Sequence, residues 1–317
     1  MSALVSNSID SLSVANLALG DPSKGGDPNY LNQQVPNPFA GLLPNTSLNN
    51  ATVARSQLLL PYPEFSTFNM LNRNDGHAWY NALQVSLKKS LSNGLSFGAY
   101  YTLSKNIQQV SYMNGQDAAP GRSLVSWDRP HRLALTPMYE LPFGPGRRFL
   151  NSRNRVVSRL VSGWDMTVTS LITTGSPMSI PSNVTLLGDP RLDNPTWGRL
   201  FKTGVVNVNG TVNGVGPGEQ PVFAIRPPFT LRTTPDNYGN LRNRWAQTFD
   251  VSLMKKTRIR EGIIAEFRAE TFNFANTPVF YGNPDLDPTS PTFGALLRDN
   301  GQSNASRQVQ LGIRVTF

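Results

Sequence analysis

Five charged side chains in the last quarter of the sequence have the spacing that would bring them onto one surface. They occupy alternate positions of segments that read as β-strands, in which neighbouring side chains point to opposite faces, and they are Asp250, Glu266, Arg268, Glu270 and Arg314. Carboxylate and guanidinium groups on one face can bind a polar solute or another protein segment. They can also neutralise one another across strands, which stabilises a sheet by roughly 0.2–1 kcal/mol per pair.

The sequence contains none of the residue motifs that are typical of catalytic or metal sites. It contains no cysteine and two histidines, His77 and His131, and none of the motifs HExxH, GxSxG or GxxxxGK[ST]. Asp128 precedes His131, but Asp-x-Pro is turn chemistry and no nucleophile is evident nearby. Asp285 and Asp287 could bind calcium, yet prolines flank them and no glutamate partner follows, so a series of turns is preferred. We predict no enzymatic activity, no cofactor and no metal.

The segments that carry the charged residues alternate between apolar and polar side chains. The clearest is the last one, at 307–317, where every second residue from Val309 to Phe317 is apolar. A tilted strand needs about 9–11 residues to cross the hydrocarbon layer, with apolar side chains toward lipid and polar side chains toward a lumen. The same alternation recurs in shorter form at 83–88, 95–104, 164–173, 249–253 and 265–270. Length and recurrence predict an all-β fold that forms an antiparallel transmembrane β-barrel.

The composition agrees with strands joined by long turns. The 317 residues include 26 glycines and 25 prolines, while 38% are hydrophobic and 15% are charged. No stretch of about 18 apolar residues occurs, so no transmembrane helix is predicted. The net charge is +9, and its densest part is the arginine-rich stretch 147–159. That stretch matches no nucleic-acid-binding motif, so we expect a solvated turn or a contact with anionic headgroups, and no nucleic-acid partner.

Tight and long connections alternate along the predicted strands, as they do in membrane barrels. Residues 1–63 contain seven prolines and read as a periplasmic-side connecting segment with little regular structure, followed by C-terminal β-barrel strands at 64–317. The eight predicted strands span about 64–72, 79–90, 95–105, 131–140, 163–173, 244–256, 262–274 and 307–317. Long extracellular loops are predicted at 106–130, 174–243 and 275–306. The short connection at 74–78 would also lie outside, which the alternation does not explain.

Seven segments of the sequence carry a family resemblance when they are taken in order. They are LNQQVPNPFAGLL (31–43), QLLLPYPEFSTFN (57–69), WYNALQVSLKKSLSNGLSFGAYYTLSKN (79–106), WDRPHRLALTPMYELPFGPGRRFLN (127–151), SGWDMTVTSLITTGSPMSI (162–180), FRAETFNFANTPVF (267–280) and RQVQLGIRVTF (307–317). Together they resemble the C-terminal barrel region of TonB-dependent outer-membrane transporters, in particular those with a carboxypeptidase-regulatory-like N-terminal domain. The resemblance implies a barrel of about 22 strands in the full transporter, of which this chain supplies about the last eight.

The resemblance also implies a location in the cell outer membrane and a set of partners. Outer-membrane lipid surrounds such a barrel, the barrel assembly machinery reads a terminal aromatic residue such as Phe317, and the cargo is an imported solute whose identity is open. The plug domain and TonB would act through a part of the transporter that this chain does not show. The first twenty residues have no basic stretch followed by an apolar core, so we expect the chain to be the downstream part of a longer precursor.

In such a barrel the five charged residues would line the lumen. Because polar lumens are general in barrels, mutual neutralisation is favoured over contact with a plug or a solute. Two alternatives to the transporter hypothesis stay open. One is a self-standing eight-stranded outer-membrane barrel that acts as an adhesin or structural protein. The other is a soluble all-β binding module, since sandwich strands with one buried face also alternate.

Overall fold

A long antiparallel sheet organises the chain in a computed structural model that describes residues 2–280, 282–296 and 302–317. The strands of this described part are β1 (Ser2–Ser8), β2 (Gln34–Pro36), β3 (Thr52–Ala54), β4 (Asn69–Ser92), β5 (Leu95–Ser111), β6 (Gly121–Leu124), β7 (His131–Leu135), β8 (Met138–Glu140), β9 (Trp164–Thr173), β10 (Pro177–Ser179), β11 (Val184–Leu186), β12 (Val205–Val206), β13 (Val212–Asn213), β14 (Phe223–Ile225), β15 (Asn237–Arg242), β16 (Ala246–Arg260), β17 (Ile263–Phe272) and β18 (Gln308–Thr316). Its α-helices are short and are α1 (Val14–Ala18), α2 (Pro28–Asn32), α3 (Arg55–Leu58) and α4 (Arg155–Val161). Two 3-10 helices span Pro22–Lys24 and Ser47–Asn49.

The strands of the main sheet follow one another in chain order. The order runs from β1 through β4, β5, β7, β9, β16 and β17 to β18, while β6 pairs with β5 and β8 pairs with β5 and β9. The pairings between these strands are antiparallel, as expected where each connection reverses the chain. The prediction of an all-β, mostly antiparallel fold is confirmed.

Two tight turns mark one end of this sheet. β4 and β5 are joined through Asn93 and Gly94, with φ of 53° and 76°, and β16 and β17 are joined through Glu261 and Gly262, the glycine having φ of 78°. Asn-Gly is a preferred pair for two-residue hairpin turns because both residues tolerate positive φ. We call this end the turn end, and the opposite end, from which the long connections emerge, the loop end.

Cross-strand register collects the alternating apolar positions on one face of the sheet, the apolar face. Leu253 of β16 lies opposite Met166 of β9 and Ala269 of β17, and Ala269 lies opposite Leu311 of β18. Leu311 is 67% exposed, so the described part of the chain does not cover this face. Further members of the face are Leu83, Val85, Leu87, Ala99, Leu103, Leu133, Val168, Val251, Phe267, Ile313 and Val315. The residues between them form the polar face.

The predicted strands at 64–72 and 79–90 fall on a single strand that begins at Asn69, so their division was wrong. β4 continues for 24 residues through the stretch 74–78 that we predicted as a connection. Gly76 there is a contact point for the neighbouring strand: a Cβ on it would lie 2.6 Å from the Ala3 carbonyl oxygen of β1. The glycine therefore permits close backbone approach rather than a turn. The merger also removes the short outer connection that the alternation did not explain.

Residues 1–63 lie at the loop end of the sheet, whereas we predicted them on the side of the tight turns. β1 pairs with the start of β4, with Ser8 opposite Asn69. In the loop after β5, the Nε2 amide of Gln116 donates to the Leu12 carbonyl oxygen at 2.6 Å. The physical reason is the merged strand, because one crossing fewer moves the preceding segment to the other end. The segment also contains β1–β3 and α1–α3, more regular structure than we expected.

The predicted strand at 131–140 is interrupted near its middle. β7 ends at Leu135, and β8 begins at Met138. Pro137 lies in the gap, and proline has no backbone N–H to contribute to a ladder. Its carbonyl oxygen still accepts a hydrogen bond from the Val168 N–H at 3.0 Å. The two short strands therefore act as one wall element between β5 and β9.

The long connections at the loop end fold into a structure with its own core, which we call the loop cap (described residues of 174–243 and 282–296). Buried residues of this core are Met178, Ile180, Val184, Phe201, Val205, Val222, Phe223 and Leu241. The rings of Phe201, Phe223 and Phe293 pack edge to face, with centroids 5.3–5.7 Å apart, a favourable geometry for aromatic pairs. We predicted long connections at these positions and did not anticipate a buried core.

Candidate functional site

The five predicted charged residues share the polar face of the sheet. Lys256 of β16 and Arg314 of β18 lie directly opposite Glu266 of β17, on its two sides, so the charges alternate across three strands. The closest ion pair runs along β17 instead, where Arg268 Nε lies 2.6 Å from Glu266 Oε1. Asp250 Oδ1 accepts the Asn273 N–H at 2.8 Å. Part of this set therefore neutralises itself.

Glu270 completes the set, between Ser252 of β16 and Gln310 of β18. Its register places it on the same face, two positions beyond Arg268. The structure thus brings the five residues together on one face, and their role as a lumen lining stays a prediction. Phe317 follows β18 at the turn end and is 91% exposed. Its role as a barrel-assembly signal also stays a prediction.

The loop end of the polar face is basic. Arg132 lies opposite Thr173 of β9, and Arg129 Nη1 donates to the Thr174 carbonyl oxygen at 2.9 Å. Both arginines line a cavity of about 280 Å³ that is closed on its other side by residues such as Ser303. The motif around Asp128 and His131 did not indicate this cavity, because its walls come from strands and loops far apart in the sequence.

A larger cavity of about 580 Å³ lies between the loop cap and the start of β16. The Arg244 guanidinium lies 4.3 Å from the centroid of the Trp197 ring, and Trp197 packs edge to face on Phe280 at 5.2 Å. Arg191 and Trp245 contribute further to the wall. Arginines next to aromatic rings offer both charge and stacking to a polar solute. Sequence reasoning missed this site, which no local motif marks.

A buried ion pair attaches the loop cap to the rest of the chain. Arg242 Nη2 lies 2.7 Å from Asp128 Oδ2, and the Asp128 side chain is 1% exposed. The other carboxylate oxygen accepts the Asn106 N–H at 2.7 Å, and Arg242 Nη1 donates to the Gly175 carbonyl oxygen at 3.3 Å. Asp128 is thus a structural residue of the loops, which is compatible with the turn that we predicted there. Its arginine partner lies 114 positions away.

His131 belongs to an aromatic group at the loop end of the apolar face. Its Nδ1 is 2.7 Å from the Tyr101 hydroxyl oxygen, and its ring is stacked with Trp245, with centroids 6.2 Å apart. At the turn end, Trp164 packs edge to face on Phe267 at 6.1 Å. His131 lies opposite Thr174, so its row is ten residues from that of Trp164, or about 34 Å along the strand direction at about 3.4 Å each. For a strand tilted by about 40° this is about 26 Å along the membrane normal. Aromatic girdles flank an apolar band of about 25 Å in membrane barrels, so the apolar face has membrane dimensions.

An ion pair inside the loop cap predicts a pH dependence. The Arg199 guanidinium bonds to the Glu219 carboxylate, and this hydrogen bond lowers the pKa of Glu219. A carboxyl group with a lowered folded-state pKa stabilises the fold above its unfolded pKa, and this contribution is lost as the pH falls through the folded value. We expect hydrogen exchange at 203–216, corrected for its intrinsic rate, to accelerate below about pH 4. In the Glu219→Gln variant, hydrogen exchange at 203–216 should be fast at every pH. Exchange rates that respond neither to low pH nor to this substitution would contradict a stabilising role for the Arg199–Glu219 pair.

In the part of the chain that the structure describes, no helix has the length and apolar character needed to cross a membrane. The same residues include no group of three or more side chains suited to a metal ion.

A search of curated proteins found no match. A family model described as an outer membrane beta barrel domain matches residues 23–310, which is most of the chain. The chain therefore belongs to the outer membrane beta barrel domain family, whose location is the outer membrane.

Proposed function

We propose that this chain forms one sector of the wall of a TonB-dependent transporter that imports a solute across the outer membrane. The observation that carries the proposal is that the sheet formed by the described residues is open at both sides. Within the described residues, Trp79–Ser92 of β4 pairs with β5 alone, and β18 pairs with β17 alone. Each unsatisfied backbone group in lipid costs several kcal/mol. Additional strands that pair with these edges would give a wider barrel.

The width of the barrel matters for function. A closed barrel of about eight strands has an interior filled by its own side chains, or holds one small ligand, while 22-stranded outer-membrane transporters have a lumen that a plug can fill. A polar face with alternating charges, continuous with cavities under a folded loop cap, suits the wider type. The resemblance of the seven segments to TonB-dependent transporters supports the same choice. We assign no reaction and no cofactor to the chain.

The proposed mechanism uses the loop end for capture and the polar face for passage. A solute would first contact the arginines and aromatic rings of the 580 Å³ cavity, then Arg129 and Arg132 at the top of the polar face. The lower polar face, with Arg268 and Glu270, would contact the plug or the moving solute. In this proposal the plug and TonB would act through other segments of the transporter, and the barrel assembly machinery would recognise the end of β18.

A disulfide experiment tests the width of the barrel. Because these 317 residues contain no cysteine, no native thiol in this part of the wall competes with cysteine pairs introduced into the full gene product in the outer membrane. Ala269→Cys with Leu311→Cys is the matched control, since these residues are direct neighbours across β17 and β18. We expect the control pair to form a disulfide and pairs that join position 85 or 87 of β4 to position 311 or 313 of β18 to form none. Efficient β4–β18 disulfides would show a self-closing small barrel and overturn the proposal.

A second experiment tests import itself. Growth medium from the parent strain, from a strain that lacks the gene and from a strain that lacks TonB is analysed by mass spectrometry for solutes that disappear. We expect at least one solute to be taken up only when both the gene and TonB are present. Uptake that needs the gene without TonB would contradict the energised mechanism. No change in any solute would favour the adhesin or structural alternative.

A further inference from the structure

The connection between β8 and β9 places a concentrated positive charge at the turn end of the sheet. Residues 141–163 contain five arginines and neither an acidic residue nor a lysine. Arg147 lies 3.5 Å from Glu140 at the end of β8. The other four arginines are Arg148, Arg153, Arg155 and Arg159. Within the described residues, none of these four has a carboxylate within ion-pair distance. The segment therefore carries excess positive charge that no ion pair with a described residue neutralises.

α4 within this connection is amphipathic. Val156 and Leu160 stand one helical turn apart and are 66% and 64% exposed. Arg155 and Arg159 are likewise one turn apart and lie about 100° around the helix from Val156 and Leu160, since successive residues are rotated by about 100°. Asn154 caps the helix by accepting the Val156 N–H at 2.9 Å. Such a helix has an apolar side that the described protein leaves uncovered.

The helix is attached to the apolar face of the sheet. The indole N–H of Trp164 donates to the Leu160 carbonyl oxygen at 3.0 Å, and Trp164 begins β9 in the aromatic group at the turn end. Phe149 and Leu150, in the turn before the helix, are 49% and 58% exposed. The apolar side chains of the connection thus continue the surface that contacts lipid in this family, at the depth where Trp residues meet the headgroups.

We infer that residues 147–160 form a lipid-binding surface at the turn end, with the apolar side of α4 inserted among acyl chains and its arginines bound to the phosphates of anionic phospholipids. Charge complementarity and continuity with the apolar face both select this occupant. Guanidinium groups bind phosphate in a bidentate manner, and amphipathic helices rich in arginine lie in the interface plane. The inference depends on the membrane location of the family and is independent of any transport activity.

Lipid retention measures the charge part of the inference. The full gene product, folded in micelles, is incubated with equal amounts of phosphatidylglycerol and phosphatidylcholine, and retained lipids are counted by native mass spectrometry. We expect preferential retention of phosphatidylglycerol, and a loss of about 30-fold in Arg155→Ala with Arg159→Ala, from about fivefold for each arginine near the surface. Lys24→Ala with Arg307→Ala, exposed positions at the loop end, is the matched control and should leave retention unchanged. Equal loss in both variants, or no preference in the parent, would overturn the inference.

Site-directed labelling measures the apolar part. Single cysteines at Leu160 and at Arg155 are labelled with an environment-sensitive fluorophore, and the folded protein is placed in bilayers that contain spin-labelled lipid. We expect blue-shifted emission and strong quenching at position 160, and emission close to that in water at position 155. A chain that retains its sheet by circular dichroism but shows a water-exposed label at both positions would overturn the insertion of α4. The far-ultraviolet spectrum also separates this outcome from a failure to fold.

Discussion

Replacing Leu311 with arginine will destabilise the protein in a lipid bilayer by about 2–4 kcal/mol, the cost of an arginine at the midplane on the lipid face of a barrel. Leu311 lies near the middle of β18, in the row that joins Met166, Leu253 and Ala269 on the apolar face. The Leu311 side chain is exposed because it contacts lipid rather than protein. The measurement is urea unfolding of the full gene product in lipid vesicles.

The neighbouring position supplies the control. Gln310 lies on the polar face, opposite Glu270 of β17, so an arginine there meets water and a carboxylate instead of hydrocarbon. We expect Gln310→Arg to change the unfolding free energy far less than Leu311→Arg. Since the two positions share one strand and one depth, the comparison isolates the face. Equal destabilisation at both positions would mean that the apolar face is not the lipid-contacting face.

Replacing Arg242 with methionine will loosen the loop cap by about 3–5 kcal/mol, the cost of leaving one member of a buried ion pair without its partner. The Asp128 carboxylate would lose its contact with Nη2 of Arg242 while staying almost fully enclosed. Limited proteolysis of the folded protein in urea reports on the cap, and we expect cleavage within 174–243 at lower urea concentrations. The strands of the sheet should remain protected in the bilayer.

Two variants show whether the charge itself is responsible. Asp128→Asn combined with Arg242→Met removes both charges but keeps an oxygen that can accept the Asn106 N–H, and should recover much of the stability that the single substitution loses. Arg191→Met removes an arginine from the exposed pair with Asp189, where solvent screens the interaction, and should leave proteolysis unchanged. If the double variant is as weak as Arg242→Met alone, the hydrogen bonds from Arg242 to the carbonyl oxygens of Asp128 and Gly175 hold the cap instead of the ion pair.

The wall of the barrel could be predicted from sequence because its side chains obey a period of two. The alternation at 307–317 and at 95–104 identifies β18 and β5, and it also places Glu266 and Arg314 on one face without knowledge of the register. The continuity of β4 through 74–78 was missed for a physical reason. Asparagine, aspartate and glycine at 74–76 are turn formers in isolation, and only the presence of β1 makes the glycine a point of strand contact.

The loop end was much less predictable, because its contacts join residues far apart in the chain. Phe293 packs on Phe201 and Phe223, and Arg242 meets Asp128, but glycine and proline between these residues read as irregular connection. A core built from short strands has no sustained period. The stretch 147–159 was partly predictable. Its positive charge was visible in the sequence, whereas the exposed apolar side of α4 became visible only in the structure.

Because the loop cap has a core of its own, one part of the chain folds in water while the sheet folds in the lipid bilayer. The cap buries Phe201 and Met178 away from water, so its stability comes from the ordinary hydrophobic effect and weakens on cooling. The sheet leaves its leucines and valines outside, and its stability depends on the thickness and chemistry of the bilayer. Substitutions in the cap are therefore limited by burial away from water, and those in the wall by contact with lipid. The surface of the cap is free to diversify, while the wall must keep its alternation of apolar and polar side chains.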